Sequence, residues 1–103
     1  MNKLIMEGKV AVLYTCDFGA GWSTWNPEFP ECVFDPEIAK MVCLGVSANE
    51  IKKFAEEKYG VDFYEGGADR LTVKWLPEGT KFYIQEYDGR ETVVTEEKLY
   101  LTA

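Results

Sequence analysis

The sequence predicts an α+β fold: a mostly antiparallel sheet of about five strands, with two helices inserted after the first strand and packed on one face. Three observations predict it. Lys9–Thr15 is a seven-residue run rich in apolar and β-branched side chains. Two helix-start signatures follow, at Asp35-Pro36 and at Ser47-Ala48-Asn49-Glu50. After Gly60 the apolar residues recur with the period of two that strands show, interrupted by Pro77-Glu78-Gly79 and Asp88-Gly89 turns.

In the first strand Val10, Val12 and Tyr14 face one way and Ala11, Leu13 and Thr15 the other. Apolar groups on both faces mark a central strand. A loop, Asp17-Phe18-Gly19-Ala20-Gly21-Trp22-Ser23-Thr24-Trp25-Asn26, comes next. It runs into Asn26-Pro27-Glu28-Phe29-Pro30, where the prolines predict an extended or turning path rather than a helix.

Asp35 is a good N-cap and Pro36 suits the first helical position, where its missing N–H costs nothing. Ile38, Met41 and Val42 share one face of that helix, and Gly45 is placed to end it. Ser47 and Glu50 form a capping box for the second helix, which turns Ile51, Phe54 and Ala55 inward and Lys52, Lys53, Glu56 and Glu57 outward. Gly60 stops it. Val61 to Tyr64 is predicted as a short edge strand, and Glu65-Gly66-Gly67-Ala68-Asp69 as a turn. Leu71, Val73 and Trp75 then alternate with Thr72 and Lys74, which places Trp75 in the core. Lys81 to Tyr87 pairs with Arg90 to Thr95 across Asp88-Gly89, a dipeptide favoured in two-residue hairpins. Lys98 to Thr102 reads as a final strand.

At 103 residues the chain is one domain, without repeats or linkers. Apolar residues make up 47%, enough material for a packed core. No apolar run approaches the ~20 residues of a membrane helix. The start, Met1 to Glu7, lacks the apolar stretch of a signal peptide, so a cytoplasmic, soluble protein with no membrane contact is expected. Asp and Glu number 18 against 11 Lys and Arg, for a net charge of -7. That balance disfavours direct nucleic-acid binding, which draws on clustered cations. It suits an acidic face docking on a basic protein, or a locally positive pocket in an acidic body.

The residue inventory argues against catalysis and against metal binding. There is no histidine, so the usual Ser–His and Cys–His nucleophile pairs are absent. Cys16, Cys32 and Cys43 are spaced too widely for a zinc site and are expected to be buried, reduced thiols. Cys16 adjoins Asp17, whose carboxylate disfavours a thiolate. The carboxylates Asp17, Asp62, Glu65, Asp69, Glu86 and Asp88 match no calcium loop. No cofactor or metal is implied, and the chain reads as a binding protein rather than an enzyme.

The candidate binding surface is the glycine–tryptophan loop. Gly19 and Gly21 permit close backbone approach, and a nest of N–H groups at Phe18, Gly19, Ala20 and Gly21 suits an anion without any side-chain charge. Trp22, Ser23 and Trp25 add stacking area and polar groups, although both indoles also suit simple core packing. The two arginines, Arg70 and Arg90, each follow a turn, and Tyr87 stands at the hairpin end. Brought to one end of the sheet they would make a site for a small phosphorylated ligand. On the surface they would instead pair with neighbouring carboxylates.

Three blocks of this chain carry a family resemblance. Phe18-Gly19-Ala20-Gly21-Trp22-Ser23-Thr24-Trp25, then Gly66-Gly67-Ala68, then Glu86-Tyr87-Asp88-Gly89-Arg90-Glu91 resemble a family of small phage and prophage proteins. The resemblance implies a viral accessory protein and brings no activity or catalytic residues with it. By association it implies a role against host immunity. Such a protein could sequester a small nucleotide-type signal, with Trp22, Trp25 and Tyr87 stacking on the base. It could instead dock an acidic, aromatic surface on a host defence protein such as a nucleic-acid-guided nuclease. A homo-oligomer sealed by the two tryptophans is the third reading.

Overall fold

Lys9–Thr15 is buried on both faces because two different layers cover it. The computed structural model describes residues 2–95, and the strand predicted at Lys98 to Thr102 lies outside them. Five strands and two helices follow one another as β1 (Ile5–Met6), β2 (Lys9–Thr15), α1 (Pro36–Cys43), α2 (Ala48–Tyr59), β3 (Leu71–Pro77), β4 (Phe82–Tyr87) and β5 (Arg90–Thr95). The α+β class stands, and every strand pairing is antiparallel.

The single five-stranded sheet does not form. The strands divide into a three-stranded sheet, ordered β1-β2-β3, and a separate β4-β5 hairpin. Both edges of β2 are taken, by β1 at Ile5↔Val10 and by β3 in full register from Lys9↔Pro77 to Thr15↔Leu71. Ala11 and Leu13 face Ile38, Ala39, Ile51 and Ala55 from the helices, together with Trp22, Cys32 and Phe63. On the opposite face Val12 meets Leu76 and Val93, with Phe82 and Ile84 packed against them. The helices leave that second face uncovered, so the hairpin buries its apolar side there instead of extending the sheet edge.

Other expectations are corrected locally. Val61 to Tyr64 is a turn and bend, with only Phe63 buried, so no edge strand forms there. The stretch Glu65 to Asp69, predicted as a turn, runs into a 3-10 helix at Gly66–Arg70, and another covers Pro30–Phe34. Pro30 occupies its first turn, where a proline N–H is not missed. Cys32 is buried as expected, whereas Cys16 and Cys43 are exposed. Among the described residues no helix is long and apolar enough to cross a membrane.

The helix caps are those the sequence signalled. Asp35 Oδ1 accepts the Glu37 and Ile38 N–H groups at 3.1 and 2.9 Å, and Ser47 Oγ accepts the Glu50 N–H at 3.3 Å. Asp35 is itself buried, and its second oxygen accepts from the Tyr59 hydroxyl and from Lys58 Nζ at 2.8 Å. Burial, and then the Asp35 carboxylate, push the Tyr59 phenol well above its ordinary 10.0. Burial pulls Lys58 down, but its bonds to Asp35 and Glu37 carry it above its ordinary 10.5.

Both groups therefore hold their protons more tightly folded than unfolded. The stability they lend is intact below their unfolded values and is lost as pH rises through the folded ones. Thermal melts are expected to be flat near pH ~8 and to fall above pH ~10. Tyr59→Phe should melt lower at the neutral end, by the loss of about 1 kcal/mol for one hydrogen bond, and show a shallower alkaline fall. Equal alkaline slopes for the two proteins would remove Tyr59 from this account.

Candidate functional site

The loop leaving β2 is held by two other segments, Gly67 to Arg70 and the hairpin turn at Asp88-Gly89. Thr15 Oγ1 donates to the Gly89 carbonyl at 2.7 Å, and the Gly19 N–H donates to the Asp88 carbonyl at 2.8 Å. Gly19 lies at φ +110, where a side chain is disfavoured, and the Arg70 guanidinium lies against the space a Cβ would take. The Cys16 N–H donates to the Arg70 carbonyl at 3.2 Å. Gly67 packs so closely on the Gly21 carbonyl oxygen that a Cβ there would stand 2.5 Å from it.

The centre of this joint is Glu91. Its side chain is 2% exposed, on the inward face of β5. Oε1 accepts the Thr15 N–H at 3.0 Å; Oε2 accepts the Trp22 and Thr24 N–H groups at 2.9 and 3.0 Å, and the Thr24 hydroxyl as well. The donors that hold this carboxylate lie on either side of Phe18–Gly21, not within it. The Gly19–Gly21 backbone is itself closed to a free phosphate, with the Gly19 N–H already given to Asp88. Ala20 and Gly21 are buried, the Phe18 N–H donates to Asp17 Oδ1 at 2.8 Å, and Gly89 covers the Ala20 backbone.

The tryptophans part ways. Trp22 is 0% exposed; its Nε1 donates to the Cys32 carbonyl at 2.9 Å and its ring meets Phe63 edge-on at 5.1 Å. It neither reaches a ligand nor seals a dimer, because its own chain encloses it. Ser23 is half-buried in the single 3-10 turn Ser23–Trp25. Trp25 is half-buried too, and its Nε1 donates to Glu86 Oε2 at 3.1 Å. The Gly89 N–H reaches the same oxygen at 2.8 Å, and these two donors hold the exposed Glu86 carboxyl below its ordinary value.

Phe18, Tyr87 and Arg90 do come together. Tyr87 is 76% exposed and Phe18 45%, with their rings edge-to-face at 6.4 Å. The Arg90 guanidinium sits 5.6 Å over the Phe18 ring, within cation–π reach. These side chains, with Gln85, Glu86 and Thr92, line an open cleft of 340 Å³. On its other side Arg90 also borders a 220 Å³ notch holding Lys74, Tyr14 and Cys16. Among the described residues neither arginine, nor Lys74, forms an ion pair; the ion pairs present are those of Lys52 with Asp69 and of Lys58 with Asp35 and Glu37.

The sequence reading missed two contributors. Glu91 stands in register with Val93 and Thr95 on an inward face, and a lone carboxylate at such a position signals a buried acceptor. Lys74 lies on the Thr72 side of β3, and only the folded-back hairpin brings it to Arg90. Among the described residues no group of three or more Cys, Asp or Glu side chains is placed to hold a metal ion. Compared with protein-family models, with curated proteins and with solved structures, the chain matches none.

Proposed function

We propose that this chain is a non-enzymatic binding protein that sequesters a small nucleotide-type anion in the cleft beside Arg90. One observation carries the reading: a protein of net charge -7 sets Arg90 beside the exposed rings of Phe18 and Tyr87, with Lys74 in the adjoining notch that Arg90 also borders, and no carboxylate paired to either cation among the described residues. The two nearby acids are engaged elsewhere. Glu91 is consumed by the loop, and Glu86 is bound by Gly89 and Trp25.

An aromatic base would stack on Tyr87 or Phe18, and a phosphate would pair with the forked Arg90 guanidinium, with Lys74 as a second point charge. Arg70, lying against Gly19, lines neither the cleft nor the notch. The cleft falls at the lower end of the roughly 300–1,000 Å³ typical of small-molecule sites, which suits one nucleotide unit better than a polymer. The resemblance to phage proteins supports the wider setting, an accessory protein that removes a host immune signal without chemistry.

Calorimetry against a panel of cyclic and linear nucleotides tests this. Arg90→Ala is expected to weaken binding about 10- to 100-fold, the worth of a charge-assisted hydrogen bond. Tyr87→Ala should weaken it less while leaving the fold intact, since Tyr87 is exposed. No heat with any nucleotide, or an affinity indifferent to Arg90→Ala, would end the proposal.

A further inference from the structure

A second cleft is larger than the one beside Arg90. It measures 490 Å³ and is bordered by Trp25, Asn26, Pro27, Glu28, Phe29 and Asp62. Its chemistry is opposite in sign, since it pairs aromatic walls with two exposed carboxylates. Neither Glu28 nor Asp62 forms an ion pair among the described residues.

The walls are fixed in advance. Trp25 is gripped at three points: Glu86 holds its Nε1, Tyr64 packs on it at 5.2 Å, and Gly21 leaves room for it where a Cβ would stand 2.6 Å from its Cδ1. Asn26 is buried and ties the loop to the facing segment. Its Nδ2 donates to the Tyr64 carbonyl at 2.9 Å, while its Oδ1 accepts the Tyr64 N–H at 2.7 Å. Phe29 packs edge-on against the stacked rings of Tyr59 and Phe63, at 5.6 and 5.5 Å. An indole held this firmly, yet still half-exposed beside a cleft, loses little entropy when something binds to it.

We infer that this cleft receives an arginine side chain projecting from a basic surface of a partner protein. A planar guanidinium stacks on aromatic faces and forks onto carboxylates, which a lysine ammonium does less well. The -7 charge of the chain draws a basic partner toward it and repels an acidic one. The cleft is open, so it admits a side chain still attached to its backbone. The two clefts share no lining residue, although Glu86 lines one and holds Trp25 in the other, and this inference does not rest on the nucleotide reading.

The probe is a capped Gly-Arg-Gly-Arg-Gly peptide titrated into the full chain, read by the NMR shift of the Trp25 indole N–H. A saturable shift is expected with this peptide and not with its citrulline counterpart, which keeps the shape but lacks the charge. Glu28→Gln with Asp62→Asn should weaken binding about tenfold or more, and both residues are exposed, so the fold is not at issue. Arg90→Ala should leave the titration unchanged, which separates this site from the nucleotide cleft. An equal response to the citrulline peptide, no saturation, or indifference to the double variant would overturn the inference.

Discussion

Glu91→Ala is expected to lower the melting temperature by about 20 °C, from a loss of about 4 kcal/mol. The carboxylate accepts the N–H groups of Thr15 and Trp22, both in buried bonds, and that of Thr24 in a part-buried one. Removing it strands three donors, each costing about 1–3 kcal/mol when buried without a partner. It also removes the side-chain link from β5 to the loop and to the end of β2, leaving the Thr15–Gly89 and Gly19–Asp88 bonds to hold the hairpin turn. Glutamine is no conservative replacement here. Its amide keeps one acceptor for Thr15, but it turns an N–H₂ toward donors on Trp22 and Thr24, so Glu91→Gln should lose at least half as much. Differential scanning calorimetry decides the matter, and a Glu91→Ala protein melting within a few degrees of wild type would show that the clasp is not a main support. Nucleotide binding should fall with it, because Phe18 is carried on the clasped loop.

Gly89→Ala is the second large effect, expected at about 3 kcal/mol or more. Two costs add at this position. Gly89 has φ +87, and a Cβ there would lie inside contact distance of the Ala20 backbone, 2.9 Å from its Cα. Backbone cannot swing aside as a flexible side chain can. Gly79 separates the two terms, because it has φ +89 with nothing within 4 Å of its would-be Cβ. Gly79→Ala should therefore cost only the conformational share, about 1 kcal/mol. Gly67→Ala isolates the other share, through its collision with the Gly21 carbonyl. Urea unfolding of the three variants should rank Gly89 above both others. A ranking in which Gly79 equals Gly89 would mean that the hairpin turn does not press on the loop.

Features decided within a few residues were legible in the sequence. The Asp35 and Ser47 caps, the Gly45 stop at φ +74 and the Asp88-Gly89 turn are local chemistry, and the structure repeats them. The double-faced apolar pattern of Lys9–Thr15 correctly marked a central strand. The division into two sheets was not legible. A hairpin with one apolar face satisfies the same alternation whether it extends a sheet or lies across one. What decided the outcome was the uncovered side of β2 at Val12, a fact about the tertiary fold.

The candidate site divides in the same way. Phe18, Tyr87 and Arg90 were singled out from residue type and turn position, and they meet. Trp22 was read as a contact residue, because nothing near it in sequence shows that Cys32 and Phe63 will close over it. The glycine composition of Phe18 to Gly21 suggests an anion nest, but the Phe18 and Gly19 N–H groups go to Asp17 and Asp88, and the carboxylate the loop does hold, Glu91, sits on the N–H groups of Thr15, Trp22 and Thr24.

A bend stapled from within by its own glutamate has no freedom to swing as a lid. On the proposed binding role, a ligand arriving at its rim would meet a mould already set, and capture would be governed by diffusion and charge rather than by waiting for a gate. Selectivity must then come from shape and sign at first touch, since no later closing step remains to reject a poor fit.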